Sequence, residues 1–305
     1  MSSTDFADFL RDYSYYVAHE AYVKLDDIVS PNKPKEDVIL SKQTLQRLRE
    51  GNLDEITVRG ITVGRRYGDD SYFAFSEGDD LGWLGYFIGR SETLRKLTIQ
   101  GWSEDVIHAL SDGIARNRSI QNVIVTYISS DLFAAVARTL MNLTQLEELD
   151  ASYFLDYDRR NPLNPLRPLN GSVALGNLLE SGVRLKHLSL YRYNIGDAGV
   201  TFLGRGLRNI GSSLKQLSLN DCSIGSEGLS TLVVALANCA SIKKLNLDGN
   251  DFSMATAGLR SLSGWLKTAG IQLDELGFWG CRINDEGLQA YRRGIPRSSF
   301  NIKTT

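Results

Sequence analysis

The chain is poor in the residues that staple small folds or bind metals. Its three cysteines, Cys222, Cys239 and Cys281, are few and odd in number. That excludes a disulfide framework and predicts reduced, mostly buried thiols. No CxxC, HExxH or EF-hand loop is present, so no metal or cofactor is expected. A basic excess is also missing: the net charge is -2. A general nucleic-acid or anionic-membrane binder would carry a positive balance. No apolar run approaches the roughly 18–20 residues needed to span a bilayer. The opening MSSTDFADFLRDYSYY lacks a charged stretch leading into an apolar one, so no signal peptide is expected. With unpaired thiols, this predicts a cytoplasmic or nuclear setting. Composition is otherwise ordinary for a globular chain, with 42% hydrophobic and 23% charged residues.

What the sequence does have is a rhythm. In LKQLSLNDCSIGSEGL, residues 214–229, the apolar positions Leu214, Leu217, Leu219, Cys222 and Ile224 are spaced three, two, three and two. Neither a helix nor a strand alone gives that mixture. The pattern recurs at Leu185, Ile242 and Leu273, with starts separated by 29, 28 and 31 residues. Weaker copies begin at Leu53, Leu94, Ile120 and Leu146. Leu217 and Leu219 lie two apart and point to one face of a short strand, with Gln216, Ser218 and Asn220 on the other. The following GSEGLSTLVVALANC switches to helical spacing, with Leu229, Leu232, Val233, Leu236 and Ala237 on one stripe. Ser226 and Asp197 suit helix N-caps. One strand plus one helix cannot bury its apolar face alone, and stacked neighbours create a continuous core.

Eight copies of L-x-x-L-x-L, the last four with the Asn/Cys position filled by Tyr193, Cys222, Asn250 and Cys281 and followed by Ile or Phe, resemble the leucine-rich repeat family. The length of the repeats is similar to its ribonuclease-inhibitor-like, long-repeat class. The resemblance implies an α/β solenoid, a horseshoe with a concave parallel β-sheet and convex α-helices, in about eight repeats. It also implies that Cys222, Asn250 and Cys281 hydrogen-bond the backbone of the turn. Asn can do this fully and Cys only weakly. Trp102, Ile128, Phe154 and Tyr193 depart from the pattern, so irregular turns are expected there. Gly199, Gly228 and Gly287 each fall four residues after the unit's final Ile, where a glycine lets the helix start pack closely against the strand behind it. They explain the GxxG spacing without a nucleotide.

The organisation expected is a helical cap segment over 1–52, one elongated repeat domain over 53–293, and a tail over 294–305. Residues 4–29 read as helical, with Phe6, Phe9, Leu10, Tyr13, Tyr16 and Val17 in a stripe. SPNKPKED reads as a linker, and 41–50 as a short helix. Two units carry insertions. The alternation around YGDD within 62–80 predicts an added β-hairpin. Pro162, Pro165 and Pro168 within 155–170 predict a stiff extended loop. Asp69, Asp70, Glu77, Asp79 and Asp80 form an acidic loop that reads as solvated, with a hard cation as the sharper alternative.

The solvent-side residues of the predicted strands make a polar face with large aromatics. Tyr153, Tyr191, Arg192 and Trp279 are of the types enriched at binding hot spots. Glu148, Asp150, Asp221 and Asp248 add an acidic patch that predicts a protein partner with a basic surface. His187, Ser189 and the carboxylates of Glu148 and Asp150 imitate a catalytic triad. An open sheet supplies neither a strained nucleophile nor an oxyanion pocket. The leading expectation is a non-enzymatic interaction module. A regulator of an enzyme is the alternative: the family includes GTPase activators and nuclease inhibitors, and Arg59, Arg192 and Asn220 are the candidate residues. A subunit of a larger assembly is a further alternative, kept open by the aromatic N-terminal segment and the tail IPRSSFNIKTT. No oligomeric state is read from the sequence.

Overall fold

The computed structural model describes residues 13–60, 71–76, 78–101, 104–152, 170–211, 213–268 and 273–294. Contacts group the chain into two compact units, residues 1–128 with 138–146, and residues 129–137 with 147–305.

In the first unit, helices α1 (Tyr13–His19), α2 (Leu25–Ile28) and α3 (Lys35–Arg49) precede strands β1 (Glu55–Gly60) and β2 (Tyr72–Phe75). Helix α4 (Leu81–Arg90), β3 (Lys96–Gln100), α5 (Glu104–Arg116) and β4 (Asn122–Thr126) follow. Strand β1 lies between β2 and β3, and β3 pairs onward with β4, all parallel. The hairpin expected in the first insertion is therefore absent at Tyr72–Phe75. This segment extends the sheet as a parallel edge strand, with Thr57 opposite Tyr72 and Gly60 opposite Phe75. Its other side is covered by α3, whose Ser41 hydroxyl accepts a hydrogen bond from the Ala74 amide at 3.1 Å. Covering an edge strand in this way removes unpaired backbone groups from solvent.

The expected linker also changes. Lys35, Glu36 and Asp37 belong to the first turn of α3, which starts after Pro34. Pro34 stands just outside the first turn, where its missing N–H costs nothing. Lys33 and Asp79 form a fully buried ion pair at 3.0 Å. The Lys33 ammonium also donates to the Ala74 carbonyl at 2.6 Å. Asp79 accepts from the Ser30 and Ser76 amides at 2.7 and 2.6 Å. Asp79 is thus an internal tie rather than a solvated carboxylate, because four donors converge on it. Asp80 caps α4 by accepting from the Gly82 amide. Asp69, Asp70 and Glu77 lie outside the described residues, and no metal-binding cluster occurs among those described.

Helix α1 lies on α4. Tyr16 packs edge-on against Trp83 at 4.9 Å, and Tyr86 donates to Glu20 at 2.7 Å. Val17, expected on the apolar stripe, is exposed. Phe6, Phe9 and Leu10 lie outside the described residues.

The second unit carries β5 (Glu148–Ser152), α7 (Asn170–Glu180), β6 (His187–Tyr191), α8 (Gly196–Ile210), β7 (Gln216–Asn220) and α9 (Ser226–Leu236). Then come β8 (Lys244–Asn246), β9 (Asp251–Phe252), α10 (Thr256–Thr268), β10 (Glu275–Gly277), β11 (Arg282–Ile283) and α11 (Asp285–Gly294). Helix α6 (Ser130–Leu140) is divided between the two units. Strands β5, β6, β7, β8 and β10 pair in that order, all parallel and without register slip. Leu188, Leu190, Leu217 and Leu219 are buried on one face, as alternation demands. On α9, Leu229, Leu232, Val233 and Leu236 are buried as expected. Ala237 is exposed, because the helix ends at Leu236.

Each repeat reaches back to the one before it. The Cys222 thiol points at the Leu190 carbonyl at 3.6 Å, Asn250 Nδ2 donates to the Leu219 carbonyl at 2.8 Å, and the Cys281 thiol donates to the Leu247 carbonyl at 3.1 Å. Those three acceptors occupy one position of the repeat. Asn250 does more: its amide also donates to the Leu247 carbonyl, and its oxygen accepts from the Cys222 and Ile224 amides at 3.2 and 3.0 Å. Asp197 and Ser226 do not cap their own helices. Asp197 accepts from the Gly225 amide at 2.6 Å and Ser226 donates to the Met254 carbonyl at 2.9 Å, each one repeat onward. Gly199 is required for a related reason. A Cβ there would lie 2.8 Å from both Ile195 of its own repeat and Ser172 of the preceding helix.

The turns after Ile128 and Tyr193's strands are more regular than expected. Tyr127, Arg192 and Asp221 hold left-handed φ values of 58°, 54° and 53° at the repeat position occupied by Gly101, Gly249 and Gly280. Buried Ile128 and Tyr193 fill the Asn position by packing, so the backbone path survives without the amide. Trp102 and Phe154 lie outside the described residues.

Asn250→Ala removes the side-chain partner of the Leu219 carbonyl and of the Cys222 and Ile224 amides in a buried site, and leaves the Leu247 carbonyl with only the weak Cys281 thiol. We expect a loss of about 3 kcal/mol in urea denaturation, and a smaller loss for Asn250→Cys, the residue used one repeat before and after. Lys33→Met alone strands a buried carboxylate and is expected to cost about 3–5 kcal/mol. Lys33→Met with Asp79→Asn should recover part of that, read from the same denaturation curves.

Candidate functional site

The helix-free face of the second unit is built by three straight rows of side chains. Parallel pairing in constant register aligns Glu148, His187, Gln216, Lys244 and Glu275. The next row is Asp150, Ser189, Ser218, Asn246 and Gly277, and the third contains Ser152, Tyr191 and Asn220. Rows form because side chains two residues apart share a face.

Most charges in these rows are already paired. His187 Nδ1 lies 2.8 Å from Glu148 Oε1, and Lys244 lies 3.5 Å from Glu275. Arg192 Nε is 3.8 Å from Asp221, and its guanidinium sits 4.9 Å from the Tyr191 ring centroid. Asp248 accepts from the Trp279 amide at 2.6 Å. Trp279 itself is 60% exposed, far above the usual value for an indole packed in a core. Asp150 differs from the others. It is half-buried, and desolvation alone raises its carboxyl above the ordinary carboxylate value.

The structure therefore gathers Tyr191, Arg192, Asp221, Asp248 and Trp279 at the ends of adjacent strands, with Glu148 and Asp150 farther along the same face. Tyr153 lies outside the described residues. The residues that imitate a triad are split between two rows. His187 is bound to Glu148, while Asp150 stands opposite Ser189 in the next row.

The equivalent face of the first unit is more closed than expected. Thr57, Arg59, Thr98, Gln100 and Thr126 are all buried. Arg59 stacks 4.1 Å above the Tyr72 ring and lies 3.6 Å from Asp37, which accepts the Tyr72 hydroxyl at 2.6 Å. That internal pairing removes Arg59 from the residues able to reach a bound nucleotide. No sequence signal marked the pairing, because Asp37, Arg59 and Tyr72 come from three separate elements.

The other histidines are peripheral. His19 Nδ1 donates to the Tyr15 carbonyl and its ring stacks on the Tyr15 ring, and His108 faces Glu104 on the exposed side of α5. No helix among the described residues is long and apolar enough to cross a membrane.

A stack of parallel strand-plus-helix repeats with back-reaching Asn and Cys side chains defines a repeat protein of the α/β kind. A family model described as "Leucine Rich repeat" matches residues 212–233, which run from just before Leu214 to Val233 of α9. The match covers one strand-to-helix stretch of the repeat stack. The chain matches none of the curated proteins. Among solved structures, it is similar to a protein from Bacteroides fragilis at 13% identity, covering 90% of this chain and 74% of that one, with a TM-score of 0.40. It is also similar to a chain of the Rad7 and Elc1 complex in yeast at 16% identity, covering 94% and 72%, with a TM-score of 0.39.

Burial raises all three thiols: Cys239 to about 11, Cys281 to about 12 and Cys222 further. A raised value keeps the unreactive thiol form at neutral pH. At pH near 8 a disulfide reagent should find none of the three reactive within minutes, and should titrate all three once the chain is denatured.

Proposed function

We propose that this chain is a non-enzymatic interaction module that docks a protein partner on the helix-free face of its second unit, the concave side in long-repeat relatives. The repeat spacing of 28–31 residues supports the ribonuclease-inhibitor-like class. The observation that carries the reading is the 60% exposed Trp279, whose backbone is locked to Asp248 beside a face bearing Tyr191 and Arg192. A large aromatic on a rigid, hydrogen-bonded backbone loses little entropy on binding. The partner's surface is basic in this reading. The face carries the carboxylates of Glu148, Asp150, Asp221, Asp248 and Glu275 against the two permanent cations Arg192 and Lys244.

Enzyme regulation is the second reading, and Arg192 is the residue that favours it. It stands at a strand end, with its guanidinium 4.9 Å from the Tyr191 ring centroid on the open face. Asn220 is engaged as acceptor of the Asp248 amide. A GTP-hydrolysis assay with candidate GTPases separates this reading from passive docking.

The leading reading is tested by affinity capture from native lysate with the unmodified chain and with Tyr191→Ala/Trp279→Ala. A partner retained by the first and lost by the second is expected, with an affinity loss of about 2–4 kcal/mol once the partner is purified. Equal capture by both proteins would move the interface away from this face.

A further inference from the structure

The five carboxylates of the second unit's open face are not equivalent. Glu148 holds His187, Glu275 faces Lys244, Asp221 faces Arg192, and Asp248 accepts the Trp279 amide. The Asp150 carboxylate has no hydrogen bond or ion pair among the described residues. It nevertheless sits in the middle row, with Ser189 directly across on β6 and Ser218 and Asn246 beyond it. None of these neighbours is a cation, and the residues flanking it on its own face, Glu148 and Ser152, are acidic or neutral.

Such a carboxylate destabilises the fold that contains it. Removing charge from water without a partner is unfavourable, and here only desolvation acts on the group. The direction follows from linkage. A carboxyl whose folded-state value is raised is penalised once the pH rises above its unfolded value, so Asp150 weakens the fold at neutral pH. An asparagine or serine would fill the space without that cost, as Asn246 and Ser189 do in the same row. The surroundings leave a place for a cation from outside: a fixed sheet position, partial desolvation, and a row in which Ser189, Ser218 and Asn246 carry no charge.

We propose that Asp150 is the seat of a lysine or arginine side chain supplied by the protein partner. This rests on the reading that the face binds a basic protein surface, and it names the residue that sets charge specificity. Partial desolvation strengthens a charge-assisted hydrogen bond relative to one made in open water. The paired carboxylates contribute general field, whereas Asp150 contributes a discrete contact.

The test uses the full chain and a fluorescent nonapeptide of alternating arginine and serine, with the citrulline peptide as its uncharged isostere. Fluorescence anisotropy should show binding of the arginine peptide and loss of about tenfold or more for the citrulline peptide. Asp150→Asn should weaken the arginine peptide by about tenfold, and Glu275→Gln, which removes a carboxylate already paired, by less than about twofold. Asp150→Asn should also be at least as stable as the unmodified chain in neutral-pH denaturation, which separates lost recognition from lost folding. Equal losses in the two variants, no loss in Asp150→Asn, or no binding by the unmodified chain up to about 1 mM peptide would overturn the proposal. Partner capture that depends on Tyr191 and Trp279 but not on Asp150 would overturn it too, and would leave the docking reading intact.

Discussion

The second unit depends on one recurring contact, a side chain that hydrogen-bonds the carbonyl of the equivalent residue one repeat earlier. Cys222, Asn250 and Cys281 each make it, toward Leu190, Leu219 and Leu247. Parallel strands in a repeat stack are fixed in register through their ladders, but ladders alone do not fix the path of the chain after the strand. The amide or thiol does so, by tying each turn to its predecessor. A left-handed residue then reverses the chain toward the helix, at Arg192, Asp221, Gly249 and Gly280. The straight rows of the open face follow from that common geometry.

The two faces of the sheet divide the work. Leucines on the buried face supply the hydrophobic stabilisation. The opposite face is polar, and its residues link neighbouring repeats through Asn220 and Asp248. In the second unit it pairs most of its charges internally and leaves an indole and one carboxylate outward. In the first unit the comparable positions have been drawn into the interior, where Arg59, Tyr72 and Asp37 satisfy one another. Similar sequence positions thus stay at the surface in one unit and serve stability in the other.

The repeat was legible because leucine spacing reports strand and helix directly. Leu214, Leu217, Leu219 and Ile224 define one unit without any partner residue being known. The identity of Tyr191, Arg192, Asp221, Asp248 and Trp279 as neighbours followed from aligning the repeats. Less legible were features made by distant residues. The parallel strand at Tyr72–Phe75 looked like half of a hairpin, because alternation gives a strand but not its direction. The Lys33–Asp79 tie joins residues 46 apart. The isolation of Asp150 could not be read either, since pairing of the other carboxylates depends on side-chain geometry. Asp197 and Ser226 had the residue types of caps, and their hydroxyl and carboxylate groups instead span to the next repeat.

The back-reaching contact also gives the stack a direction. In the contacts to Leu190, Leu219 and Leu247 the donor belongs to the later repeat and the acceptor to the earlier one, so the two ends are not alike. Trimming repeats from the C-terminal end removes donors and leaves behind carbonyls that water can serve. Trimming from the other side leaves a buried amide or thiol with nothing to hold. A chain emerging from the ribosome meets the acceptors first, and each new repeat arrives carrying the group that fastens it to what has already folded.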